Sequence, residues 1–94
     1  MSYIRFDWDD KKDHSNQKKH GVSFEEARTV FFDENARLAD DPDHSADEDR
    51  FLILGMSRRL RLLIVYHCYR KNEDLIRIIS ARRATKLESA QYGR

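Results

Sequence analysis

Ninety-four residues, 39 % of them hydrophobic and 37 % charged, describe one small domain that buries roughly 60–65 % of the surface its unfolded chain exposes. The formal charge of +1 conceals a polarised chain: residues 1–49 carry 7 Lys/Arg against 14 Asp/Glu, a balance of −7, and residues 50–94 carry 11 against 3, a balance of +8. The single cysteine, Cys68, rules out an internal disulfide and fits a reducing cytoplasm, and Arg or His interrupts every apolar run before it reaches membrane-spanning length.

The opening Met1–Arg5 does not read as a signal peptide. The first element in chain order is a short strand over Tyr3–Trp8, with Ile4, Phe6 and Trp8 alternating against Tyr3, Arg5 and Asp7. Asp9 offers an N-cap to a very polar helix over Asp9–His20, which has almost no apolar stripe and is expected on the rim. Gly21 closes it in the left-handed conformation, with Lys18, Lys19 and His20 near the negative end of the helix. Ser23-Phe24-Glu25-Glu26 reads as a capping box. It opens a helix to about Phe32 whose stripe of Phe24, Ala27, Val30 and Phe31 should pack on a sheet.

Asp33–Asn35 is a turn, Ala36–Asp40 an edge strand, and Asp41–Asp49 an acidic loop with the only proline, Pro42. Three stronger strands follow over Arg50–Met56, Leu60–Arg70 and Leu75–Arg82, joined by short connections that favour antiparallel pairing. Leu62–Val65 is apolar on both parities, which marks the middle strand as central. Thr85-Lys86-Leu87-Glu88 is a second capping box that opens a short C-terminal helix. The order β-α-α-β-β-β-β-α predicts an α+β fold: a mainly antiparallel sheet of four to five strands, two N-terminal helices and one short C-terminal helix.

The basic half suggests a cationic surface for a phosphate backbone, unless the acidic half folds back and neutralises it. The four histidines show no metal-ligand spacing, and there is no glycine-rich phosphate loop, dinucleotide fingerprint or serine elbow. No metal and no cofactor are therefore expected. Chemistry is left to side-chain acids, bases and fixed cations. RNA cleavage through its own 2′-hydroxyl is such a reaction, needing a base, an acid for the leaving 5′-oxygen, and Arg or Lys for the pentacovalent phosphate.

Three segments stand out. One is Lys19-His20-Gly21-Val22-Ser23-Phe24-Glu25-Glu26-Ala27. The next is His44-Ser45 with Glu48-Asp49-Arg50 and Ile53-Leu54-Gly55-Met56-Ser57. The last runs Arg77-Ile78-Ile79-Ser80-Ala81-Arg82-Arg83-Ala84-Thr85, with Glu88 and Tyr92. With the opening Phe6-Asp7-Trp8-Asp9 and the lysine-rich stretch around Asn16, their order and spacing resemble the BrnT toxins of bacterial toxin–antitoxin pairs over nearly the whole chain. The resemblance implies a RelE-like fold, toxic RNA cleavage without a metal, and neutralisation by a DNA-binding antitoxin encoded beside it, in a hetero-oligomer. One stretch departs from the family: Tyr66-His67-Cys68-Tyr69 ends the central strand where a less aromatic run is expected.

By the same resemblance Arg82, where the last strand becomes the last helix, is the cation expected to brace the scissile phosphate; otherwise it merely solvates a strand end. Arg83 adjoins it. Arg77 falls on the opposite parity from Arg82 if the strand is regular. Arg50 and Arg61 could contact phosphate or pair with Glu48 and Asp49. Lys19 is an auxiliary cation or a helix-end charge. Proton transfer would fall to His20, Glu48 or Tyr92, although His20 also suits a helix end and Tyr92 a hydrophobic lid. The competing reading is a non-catalytic RNA-binding or regulatory module, half of a repressor complex whose partner binds DNA, since no helix-turn-helix is visible here.

Overall fold

The computed structural model describes residues 4–43, 49–70 and 74–93. Strand β1 (Arg5–Asp7) leads into α1 (Asp10–His20) and α2 (Phe24–Thr29), and a 3-10 turn over Val30–Phe32 follows. Strands β2 (Arg37–Asp40), β3 (Phe51–Met56), β4 (Leu62–Arg70) and β5 (Leu75–Arg83) then precede α3 (Lys86–Ser89). The five strands form one sheet in the order β1-β5-β4-β3-β2. Only the β1–β5 pair is parallel; the other three pairs are antiparallel. The α+β architecture and the order of elements expected from the sequence are those observed.

Val22, Phe24, Ala27 and Val30 pack against Ile53, Leu63, Val65, Ile78 and Ala81 of the sheet, with Phe6, Trp8, Phe31 and Ala36 around them. The backbone of β3 comes so near this layer that only glycine fits. A Cβ on Gly55 would sit 2.7 Å from Val30 Cγ1 and 3.0 Å from Ala36 Cβ. Gly55→Ala is expected to lower stability by about 1–3 kcal/mol through overpacking. A urea midpoint equal to that of the parent would contradict this contact.

Helix α1 confirms the absence of an apolar stripe but not a loose place on the rim. Asn16 is its one buried residue. The Asn16 Nδ2 donates to Ala81 O and to Val22 O, both at 2.8 Å, while its Oδ1 accepts from Ala81 N at 3.2 Å. Strand β1 pairs with β5 only over Leu75–Arg77, so farther along β5 this amide stands in for the missing strand. Asp13 adds a second polar tie by accepting from Phe24 N at 2.9 Å.

Strand β5 is not regular. Its pairing with β4 shifts by one residue, from Tyr66↔Ser80 to His67↔Ile78. The buried positions shift accordingly, from Ile76 and Ile78 to Ala81. Residues directly opposite in an antiparallel pair share a face. Arg77 opposite Cys68, Ser80 opposite Tyr66 and Arg82 opposite Ile64 therefore all lie on the face away from the Val65–Ala81 core. The parity expected for a regular strand, with Arg77 and Arg82 on opposite sides, is overturned by this bulge.

Candidate active site on the second sheet face

Arg82 is fixed by four hydrogen bonds. Its Nη1 and Nη2 each donate at 2.8 Å to one oxygen of Glu88, while Nη2 also donates to the Tyr66 hydroxyl at 3.1 Å and Nη1 to Arg83 O at 3.3 Å. Glu88 is placed by the predicted capping box, which forms in full: it accepts from Thr85 N at 2.8 Å, and Thr85 Oγ1 accepts from Glu88 N at 3.1 Å. The Arg82 guanidinium and the capping amide hold the Glu88 carboxyl down at about 2. It therefore stays ionised at neutral pH and is no proton carrier there. Glu88 in turn raises the Arg82 pKa further.

Tyr66 also lines a cleft of about 240 Å³ with Asp41, Asp43, Arg50, Ile79 and Ser80. Arg50 thus lines the cleft together with Tyr66, and Arg82 is bonded to the Tyr66 hydroxyl. Arg77, on the same face, is paired with Asp7 of β1. Arg83 is exposed, as is Lys19 near the end of α1.

Arg61 does not join them. It is paired in a fork with the buried Glu26 and donates to Gly21 O at 3.1 Å, while Ser57 Oγ donates to Glu26 at 2.7 Å. Burial alone would push the Glu26 carboxyl up; the bonds from Arg61 and Ser57 outweigh it and hold it below its ordinary value. The first predicted capping box is consequently half formed. Ser23 Oγ accepts from Glu26 N at 3.0 Å, but the Glu26 carboxylate is spent on Arg61 and Ser57 instead of its own helix cap. A single patch built from Arg50, Arg61 and Arg82 is not what the fold produces.

The proposed proton carriers are dispersed. His20 is the half-buried last residue of α1, at the Gly21 end where Arg61 is bonded. Tyr92 donates its hydroxyl to Asp33 Oδ2 at 2.6 Å, and that bond raises its pKa. Glu48 and His44 lie outside the described residues. Tyr66 and Ser80 were not singled out in the sequence for a role in the site. Their signal was present, since Ile64, Tyr66 and Cys68 share a parity that leads to Arg82 once the bulge is known.

His67 is fully buried on the other face, beside Phe31, Phe51 and Tyr69. Its Nδ1 lies 3.0 Å from Val65 O. Desolvation lowers its pKa below 6.5, against a smaller upward pull from that carbonyl. The folded chain therefore binds fewer protons here than the unfolded one, and stability should be whole above pH 6.5 and fall as the pH drops below it. Glu88 acts lower, its share being complete above 4.5 and lost as the pH falls towards about 2. Thermal unfolding across pH should show both declines. His67→Phe should abolish the first and keep the second; a parent profile flat down to 4.5 would contradict the His67 assignment.

Among the described residues, no group of three or more His, Cys, Asp or Glu could hold a metal ion, and no helix is long and apolar enough to cross a membrane. A family model described as the ribonuclease toxin BrnT of type II toxin–antitoxin systems matches residues 8–88. No curated protein matches the chain. Among solved structures, the 1.1 Å crystal structure of the Brucella abortus ribonuclease toxin BrnT is similar at 22 % identity and a TM-score of 0.63, covering 92 % of this chain and 100 % of that one. At that identity the likeness speaks for the fold; the family match covers most of the chain, from the Trp8 turn to the Glu88 cap. The chain belongs to the BrnT family of ribonuclease toxins of type II toxin–antitoxin systems, a membership that implies an antitoxin partner.

Proposed function

We propose that the whole chain, residues 1–94, acts as a single RelE-like toxin domain in the cytoplasm, cleaving RNA without a metal and so stopping translation. The observation that carries this reading is the grouping of Arg50, Tyr66, Ser80 and Arg82 around one cleft and its border. Carboxylate and phosphate fit the same guanidinium fork. Glu88 thus occupies on Arg82 the place of an RNA phosphate, which takes the fork by exchange. Arg50 adds a second cation, and Arg77, Arg83 and Lys19 extend the positive field. The RNA 2′-hydroxyl attacks its own phosphate, a base accepts its proton, and an acid returns one to the departing 5′-oxygen. Glu48, His20 and Tyr92 are the candidate carriers named from the sequence. Of these, Tyr92 has its hydroxyl committed to Asp33.

The antitoxin would carry the DNA-binding domain and cover the basic surface with an acidic or amphipathic segment, so its affinity should fall with added salt. Purified protein incubated with bulk RNA in EDTA should fragment it, and expression should arrest growth. Intact RNA together with tolerated expression would instead favour the non-catalytic binding module.

A further inference from the structure

We infer that one flank of α1 is a docking ridge for the RNA backbone, separate from the cleft; this rests on RNA being the substrate. The helix poses a problem that the cleft does not solve. Eleven residues carry no apolar stripe, and Asn16 alone is buried. Lys11, Lys12, Lys18 and Lys19 are all exposed. At 3.6 residues per turn they fall, with Ser15 between them, within an arc of about 120°. None of the four forms an ion pair or a side-chain hydrogen bond among the described residues.

The acids of α1, Asp10 and Asp13, fall on the far flank, and Asp13 is occupied by Phe24 N and Gln17 Nε2. The helix therefore sorts its charges, with cations on one side and acids on the other. A protein partner would be met by an apolar centre with a polar rim. This flank has no apolar residue to offer, whereas lysines on a polar surface are what a sugar–phosphate chain requires.

Asn16 fixes where the ridge lies. Lys12 is four residues before it and Lys19 three after, so both stand one turn from the amide on its own side of the helix. That amide grips Ala81, the residue before Arg82. The ridge thus runs beside the stretch of β5 that β1 leaves unpaired, and an RNA strand laid along it leads towards the Arg82 end of the strand.

The test uses the full chain carrying Lys11→Gln, Lys12→Gln, Lys18→Gln and Lys19→Gln together, since glutamine preserves helix propensity. The probe is a fluorescent single-stranded RNA of mixed sequence with every 2′-hydroxyl methylated, which resists cleavage through that hydroxyl. The parent should bind it with a steep salt dependence. The variant should bind at least about tenfold more weakly, with the slope of log Kd against log salt reduced by about 2–3, near 0.7 for each lost phosphate contact. An unchanged slope and affinity in a variant with parental thermal stability would overturn the ridge and leave the cleft standing. Failure of the parent itself to bind would overturn the RNA reading and the ridge together. Retained RNA binding with lost antitoxin binding would make this flank a protein interface instead. If the quadruple variant loses stability, Lys11→Gln with Lys18→Gln, the pair farther from Asn16, should still lower the slope by about 1, and no change there would overturn the proposal.

Discussion

Asn16→Leu is expected to cost about 3–5 kcal/mol. The leucine would leave Ala81 N, Ala81 O and Val22 O without their partner, and each buried backbone group left unpaired costs about 1–3 kcal/mol. A domain of this length has about 5–14 kcal/mol in all, so the variant should sit close to unfolding at physiological temperature. Asn16→Asp should fare no better despite its matching shape. One oxygen could still accept from Ala81 N, but the other would face two carbonyl oxygens with no proton to share. Urea titration reads the outcome directly. A midpoint within experimental error of the parent for both variants would show that α1 is held by something other than this amide.

Arg82→Ala should reduce RNA cleavage by about 10²–10³-fold, the usual cost of removing a preorganised group that stabilises transition-state charge. Arg82→Lys should remain deficient, because an ammonium keeps the charge and loses the planar fork. Glu88→Gln separates the two roles of the pair. If Glu88 holds the place of a phosphate, the glutamine removes a charged competitor, so RNA binding tightens and cleavage persists while the α3 cap weakens. If cleavage in Glu88→Gln falls to the level of Arg82→Ala, exchange at the fork is wrong and the carboxylate itself is required. Full activity in Arg82→Ala would remove Arg82 from the mechanism altogether.

Much of this fold was legible because its signals are local. Asp9, Ser23 and Thr85 announce helix starts, Gly21 announces a stop, and the apolar runs Phe51–Met56 and Leu75–Ala81, bounded by short connections, announce strands. The site was legible only in part, because it depends on events that periodicity does not encode. One extra residue near Ile79 moves Arg82 to the same side as Arg77. Glu26 looks like a local cap and is instead the partner of Arg61, 35 residues away. Asn16 sits in a helix that reads as wholly solvated, and only the shortness of β1 creates the backbone vacancy it fills. His67, an extra basic group by sequence, becomes a neutral member of an aromatic cluster through burial alone.

The irregularity in β5 turns strand length into a setting. Removing Ile79 would restore an unbroken ladder, and Arg77, Ser80 and Arg82 would keep their common side, because the registers before and after the bulge already differ by that one residue. Arg82 would still stand opposite Ile64 and Ala81 opposite Val65, so the anchor for α3 would survive. A deletion at Ile79 should therefore be far milder than one before Ile78, which would slip the early half of the strand by one position and turn Arg77 towards the core.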